Sequence, residues 1–156
     1  MIEVRQLQES FMVLDTSSST SLEKQRIPRV LVIDDSLDSV KLMSHILDHY
    51  KCDVTMAFDG QDAIPLLASK PYDLVVLDWQ MPQMGGRDTL LLMDRLLTEK
   101  KVNKIKKTIP VVIYTGHSEE ELDLPLVRNF SYLGFINKRQ AFSSMMRSFN
   151  FILKSI

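Results

Sequence analysis

Four consecutive apolar residues, Leu74-Val75-Val76-Leu77, run directly into an acid, Asp78. A strand with one wet face alternates apolar and polar residues. An unbroken apolar run belongs to a strand covered on both faces, as in a parallel sheet. Two further runs repeat the pattern: Val30 to Ile33 leads into Asp34-Asp35, and Ile109 to Tyr114 leads into Thr115-Gly116. Parallel strands need long crossovers, usually helical, and helical spacing separates these runs. Leu37, Val40, Met43, Leu47 and Tyr50 form one helical face behind Ser36 or Asp35 as its cap.

The remaining segments fit the same alternation. Asp53 to Ala57 reads as a short second strand. Asp59-Gly60 turns into a helix carrying Ala63, Ile64, Leu66 and Leu67, with Pro65 placed to distort its first turns. Leu90, Met93, Leu96 and Leu97 mark a third helix. A loop with Lys100, Lys101, Lys104, Lys106 and Lys107 follows it and reads as solvated. Ser118 before Glu119-Glu120-Glu121 is a helix start, but Pro125 should break that helix within two turns, so 118–132 is expected to be irregular. Leu133 to Asn137 reads as a fifth strand ending at Lys138. The last helix presents Phe142, Met145, Met146, Phe149, Ile152, Leu153 and Ile156. Five strands alternating with five helices predict an α/β fold, a doubly wound parallel sheet of flavodoxin-like strand order 2-1-3-4-5.

The length of 156 residues bounds this to one ordinary domain. That domain is expected to span 28–156, after an N-terminal extension and Ser/Thr-rich linker at 1–27. Val4, Leu7, Phe11 and Leu14 put a helical stripe on the extension. Two heptads are marginal as an isolated helix, so the stripe is a frayed tail or packs on its own domain, or else pairs with a partner or a second copy as a homodimer. A net charge of −1 gives no bulk attraction to nucleic acid or anionic membrane. Cys52, the single cysteine, has no intrachain disulfide partner. With no apolar run of membrane-spanning length and no signal-peptide pattern, a soluble cytoplasmic protein is expected. His45 and His49, four residues apart, lack an acid at metalloprotease spacing. No G-x-G-x-x-G follows the first strand.

In strand order 2-1-3-4-5, the carboxyl ends of strands 1, 3, 4 and 5 border one crevice. The residues delivered there are Asp34, Asp35, Asp78, Thr115 and Lys138. Crowded carboxylates repel one another. A hard divalent cation such as Mg²⁺, which takes few carboxylates and keeps waters, relieves that repulsion and leaves room for a phosphoryl oxygen. With Lys138 as a point charge and Thr115 as a hydroxyl donor, the set meets the needs of phosphoryl transfer, with Asp78 as nucleophile.

These residues resemble the receiver domain of two-component response regulators, the CheY-like family, from about Arg29 to the end of the chain. The family's acidic pair matches Asp34-Asp35 in VLVIDDS. Its D-x-x-M-P-x-M-x-G segment matches the run from Asp78 through Met81-Pro82 and Met84 to Gly86, and its DG-x-x-A helix start matches Asp59-Gly60 to Ala63. Thr115, Phe135 and Lys138 fall on the fourth-strand hydroxyl, the switch aromatic and the fifth-strand lysine. The resemblance implies a phosphoprotein that accepts a phosphoryl group on Asp78 from a sensor histidine kinase or phosphotransfer protein. Mg²⁺ would be held by Asp35, Asp78, the Gln80 backbone carbonyl and, through water, Asp34. Thr115 and Phe135 would switch, repacking the face of the family's fourth helix, fifth strand and fifth helix, where an unknown protein target binds. Gln80 and His117 fall on positions that tune acyl-phosphate lifetime.

Such a protein is no enzyme beyond its own phosphorylation and dephosphorylation, and it is expected to act as a stand-alone receiver with no direct nucleic-acid or membrane binding. Two features depart from the family. Arg139 follows Lys138 where a proline is usual, and Pro125 with Asn129 to Tyr132 replaces the usual alanine-rich helix and turn. The alternative is a pseudo-receiver, an interaction module never phosphorylated. An aspartate-nucleophile phosphatase of the haloacid-dehalogenase type would need a second acid two residues after Asp34, where Ser36 stands.

Overall fold

The structure, a computed structural model, describes residues 26–99 and 108–156. Strands β1 (Arg29–Ile33), β2 (Asp53–Ala57), β3 (Leu74–Asp78), β4 (Ile109–Thr115) and β5 (Phe130–Asn137) form one sheet of order β2-β1-β3-β4-β5. Every neighbouring pair is parallel. The helices are α1 (Leu37–His49), α2 (Gly60–Ser69), α3 (Gly86–Glu99) and α4 (Phe142–Ser155). The predicted strand order is the one found. The helical stripe at 1–14 and the lysine-rich loop lie outside the described residues.

Alternate residues of the apolar runs face opposite sides, as the two-residue period of a strand requires. Leu31, Ile33, Val75, Leu77, Val111 and Ile113 pack with Ala63 and Leu67 of α2 and Leu90, Met93 and Leu97 of α3. Val30, Val32, Leu74, Val76, Val112 and Tyr114 pack with Met43, Ile46 and Leu47 of α1 and Met145, Phe149 and Ile152 of α4. The sheet is thus the middle layer of three, and all five residues of β3 are buried. Burial of each large apolar side chain here contributes about 1.5–3 kcal/mol. Ser36 is the cap of α1, its Oγ accepting from the Ser39 amide at 3.3 Å. Asp59 caps α2, accepting from the Asp62 amide at 2.6 Å. Pro65 does not break α2. Its ring removes only the bond to the Gln61 carbonyl, and both residues face solvent.

Four α-helices are found among the described residues, where the sequence pattern predicts five. Between β4 and β5 there is one 3₁₀ turn, Glu119–Glu121, and then irregular chain. Pro125 bars a longer helix, and a side-chain clamp from α3 holds the extended path instead. One Asp94 carboxylate oxygen accepts from the Arg128 amide at 2.9 Å, the Asn129 amide at 2.6 Å and Asn129 Nδ2 at 3.1 Å. Asn129 Nδ2 also reaches the Asp94 carbonyl at 3.0 Å and Thr98 Oγ1 at 2.9 Å. The clamp delivers Phe130 into pairing with Ile109, so β5 begins three residues before the predicted Leu133. Asp94→Ala is expected to cost about 2 kcal/mol, the scale of hydrogen bonds to a charged acceptor. Urea unfolding reads that loss, and hydrogen exchange should rise selectively over 122–129.

Candidate phosphoacceptor site

Strand register brings the polar ends together. Ile33 pairs with Leu77, so the following residues, Asp34 and Asp78, emerge side by side. Asp78 pairs with Tyr114 and Thr115 with Asn137, so Thr115 and Lys138 emerge on the other side of Asp78. The helix that follows backs closely onto this point. A Cβ on Gly86 would lie 2.4 Å from the Asp78 carbonyl oxygen and 2.7 Å from Trp79 Cα, so only glycine lets α3 begin there.

Asp34 and Asp78 are 1% and 2% exposed, whereas Asp35 faces solvent. Each buried carboxylate is oriented by a backbone amide two residues on. Ser36 N–H donates to Asp34 Oδ1 at 2.9 Å, and Gln80 N–H donates to Asp78 Oδ1 at 3.0 Å. Lys138 Nζ lies 2.8 Å from Asp34 Oδ2 and 2.8 Å from Asp78 Oδ2. Asp34 Oδ2 has no hydrogen bond of good geometry, so its compensation by Lys138 is mainly Coulombic. Lys138 Nζ also lies 5.0 Å from the centre of the buried Tyr114 ring, a cation–π contact.

Burial pushes the Asp78 carboxyl above its ordinary pKa. The Lys138 ammonium and the Gln80 amide oppose this without cancelling it, and the Asp34 charge adds to it. Burial also pulls the Lys138 ammonium down, but the two carboxylates outweigh it and its pKa ends raised. Lys138 is therefore charged at neutral pH.

Three carboxylates, those of Asp34, Asp35 and Asp78, offer oxygen atoms within 4.8 Å of one another. One ammonium against three carboxylates leaves a surplus of negative charge. Asp34 Oδ2 meets only the Lys138 ammonium, 2.8 Å away and without a hydrogen bond of good geometry. An all-oxygen, anionic, partly exposed cluster fits a hard divalent cation of the Mg²⁺ type.

Thr115 is fully buried, and its Oγ1 accepts from the His117 amide at 3.2 Å. His117 is exposed, and its Nδ1 pairs with Glu121 Oε2 of the 3₁₀ turn at 2.5 Å. This contact holds the Glu121 carboxyl below its ordinary pKa. Phe135 is half-buried against the α2/α3 side of the core. Gln80 adjoins the site through its amide. With Arg139 in place of proline, the loop after β5 is tied by other means. Lys138 N–H donates to the Thr115 carbonyl at 2.7 Å, Arg139 N–H to Asn137 Oδ1 at 2.8 Å, and Asn137 Nδ2 to the His117 carbonyl at 3.0 Å. Sequence reasoning missed Asn137 and Glu121. Asn137 carried a signal, an amide side chain immediately before the strand-end lysine.

The response regulator receiver domain model matches residues 30–150. A probable cyclic di-GMP phosphodiesterase of Vibrio cholerae is 33% identical over 109 residues, which are 70% of this chain and 23% of that protein. The CAI-1 autoinducer sensor kinase/phosphatase CqsS of Vibrio cholerae is 28% identical over 134 residues, 81% of this chain and 18% of that protein. The chain thus spans less than a quarter of the length of these curated relatives. Among solved structures, the signal receiver domain of a putative LuxO repressor protein from Vibrio parahaemolyticus is 25% identical. It superposes with a TM-score of 0.63 and covers 83% of this chain and 92% of its own. With the family match running from the second residue of β1 into α4, the chain belongs to the response regulator receiver domain family.

Proposed function

We propose that this receiver domain takes a phosphoryl group on Asp78 in a Mg²⁺-dependent reaction and changes its protein contacts in response. The observation that carries this reading is the convergence of Asp34, Asp35, Asp78 and Lys138 on one strand-end crevice. Bound Mg²⁺ would offset the surplus negative charge and neutralise charge on the transferred group. The residues to hold it are Asp35, Asp78 and the Gln80 carbonyl, with Asp34 through water.

The chain's own groups do the rest. Asp78 is held in place by the Gln80 amide, so its ionised carboxylate attacks phosphorus without a proton to lose. The phosphorus–nitrogen bond of a phosphohistidine donor breaks, and the electron pair returns to the imidazole, which takes a proton. Lys138 already lies against the Asp78 carboxylate and would pair with a phosphoryl oxygen. Thr115 would donate its hydroxyl proton to another. Drawing Thr115 inward would act on its neighbours through the His117 amide, and Phe135 would follow into the space behind, a local charge change biasing a two-state element. The donor class is a sensor histidine kinase or phosphotransfer protein. Gln80 and His117, each two residues beyond Asp78 and Thr115, would set the lifetime of the acyl phosphate.

Trp79, half-buried and adjacent to Asp78, offers the readout. Mg²⁺ titration is expected to change its fluorescence saturably, and acetyl phosphate with Mg²⁺ to change it again. Asp35→Asn should weaken the Mg²⁺ response at least about tenfold, as for loss of a charged ligand. A Mg²⁺ response unaltered by Asp35→Asn would contradict the ligand set.

A further inference from the structure

Lys138 Nζ stands 2.8 Å from both Asp34 Oδ2 and Asp78 Oδ2, at the end of a flexible four-carbon stem. That placement requires a fixed backbone beneath the stem. β5 lies at the edge of the sheet with β4 as its one neighbour, so the turn that follows it is held from one side. A proline after Lys138 would fix φ there without a partner. Arg139 leaves φ free and adds an N–H that needs an acceptor.

Asn137, the last residue of β5, meets both needs. Strand register sets it opposite Thr115. Its Oδ1 accepts from the Arg139 N–H at 2.8 Å, two residues on, which closes an Asx turn around Lys138. Its Nδ2 donates to the His117 carbonyl at 3.0 Å, and the His117 N–H donates to Thr115 Oγ1 at 3.2 Å. Among the described residues, the Nδ2 bond is the only side-chain hydrogen bond between residues 137–140 and 115–121. The pair of bonds needs an acceptor and a donor on one short side chain. A carboxylate offers acceptors alone, and alanine offers neither.

We infer that Asn137 is a positioning residue: its side-chain amide anchors the turn that carries Lys138 to the loop that carries Thr115, and so sets where the Lys138 ammonium stands. Its consequence for rate rests on the function proposed for Asp78. A misplacement of about 1 Å can cost about a hundredfold in rate. Loss of the anchor, with the lysine itself still present, should cost about tenfold.

The test compares Asn137→Ala and Asn137→Ser in the full chain. Serine keeps an acceptor for the Arg139 amide and loses the donor to His117. Amide hydrogen exchange, read by NMR without metal or phosphate, should rise at Lys138 in both variants. That N–H bonds the Thr115 carbonyl, not the Asn137 side chain, so its exchange reports the turn as a whole. At saturating Mg²⁺, phosphorylation by acetyl phosphate should slow about tenfold in both variants. In a Lys138→Met background the same substitutions should change the rate by less than about twofold, because the positioned ammonium is gone. An equal fall with and without Lys138 would overturn the inference, and so would a full rate in Asn137→Ser. A wild type that takes no phosphate would strike the functional reading instead, and exchange at Lys138 would still decide whether Asn137 sets the turn.

Discussion

Lys138→Met is expected to destabilise the metal-free protein by about 3 kcal/mol, the lower end of what breaking a buried ion pair costs. Its ammonium is the common partner of Asp34 Oδ2 and Asp78 Oδ2, each 2.8 Å away. Methionine would preserve the stem's packing and remove only the charge. Two buried carboxylates would then face each other, with backbone amides on Oδ1 alone. Urea unfolding in chelator should show the full loss, and millimolar Mg²⁺ should recover part of it by replacing the lost positive charge. On the proposed function the substitution should also slow phosphorylation, because Lys138 would no longer pair with a phosphoryl oxygen. Equal stability of the variant and the wild type in chelator would show that Lys138 does not compensate the acids.

Asp78→Asn should act in the opposite direction. Burial raises the Asp78 pKa in the folded state, so the folded protein binds that proton more tightly than the unfolded chain does. The stability from this linkage is fully present below the unfolded pKa and is lost as pH rises through the raised folded value. At neutral pH the ionised carboxylate is thus a net cost to the metal-free fold. An isosteric neutral amide removes that cost and leaves Lys138 paired to Asp34. The variant should be more stable in chelator by about 1 kcal/mol. Bound metal would reverse the ranking. The wild type should gain about 2.7 kcal/mol when Mg²⁺ is present at a hundred times its dissociation constant, and the variant much less. Thermal melts with and without Mg²⁺ measure both effects. On the proposed function, Asp78 is where the site would trade stability for phosphate acceptance.

The sheet was readable in the sequence because strands buried on both faces leave unbroken apolar runs. Each run from 30 to 33 and from 74 to 77 ends at the polar residue that the crevice receives. The cluster of Asp34, Asp35 and Asp78 followed from strand order alone, since order fixes which carboxyl ends adjoin. The region from 118 to 132 was harder to read. Pro125 announced irregularity there, but the path taken is fixed by Asp94, more than thirty residues away, and no local pattern encodes so distant a hydrogen bond. The early start of β5 was missed for a related reason. Four successive residues of this strand, Ser131 to Gly134, are exposed, so neither an apolar run nor an alternation marks it. The tie from Asn137 to His117 has the same character. It depends on two loops meeting, which only the finished sheet arranges.

The face beside β5 accordingly differs from what a fourth helix would present. Tyr132, Leu133 and Leu124 are each more than a third exposed. Tyr132 Oη donates to the Pro125 carbonyl at 2.7 Å, pinning the irregular segment to the strand. Arg87 at the start of α3 pairs with Asp123 at 2.9 Å across the same region, a solvent-exposed pair that adds little stability by itself. A phosphorylation signal leaving through Thr115 and Phe135 would reach this extended, clamped segment rather than a helix.

The central claim is that Asp78 accepts phosphate. Intact-mass spectrometry after incubation with acetyl phosphate and Mg²⁺ tests it most directly. The wild type should gain a single phosphoryl group that hydroxylamine removes, as an acyl phosphate requires, and chelator should prevent the gain. Asp78→Asn should show no gain under the same conditions. An undiminished, hydroxylamine-labile gain in Asp78→Asn would place the acceptor on another residue. No gain in the folded wild type, with either acetyl phosphate or a phosphohistidine donor, would make the chain an interaction module that phosphate does not control.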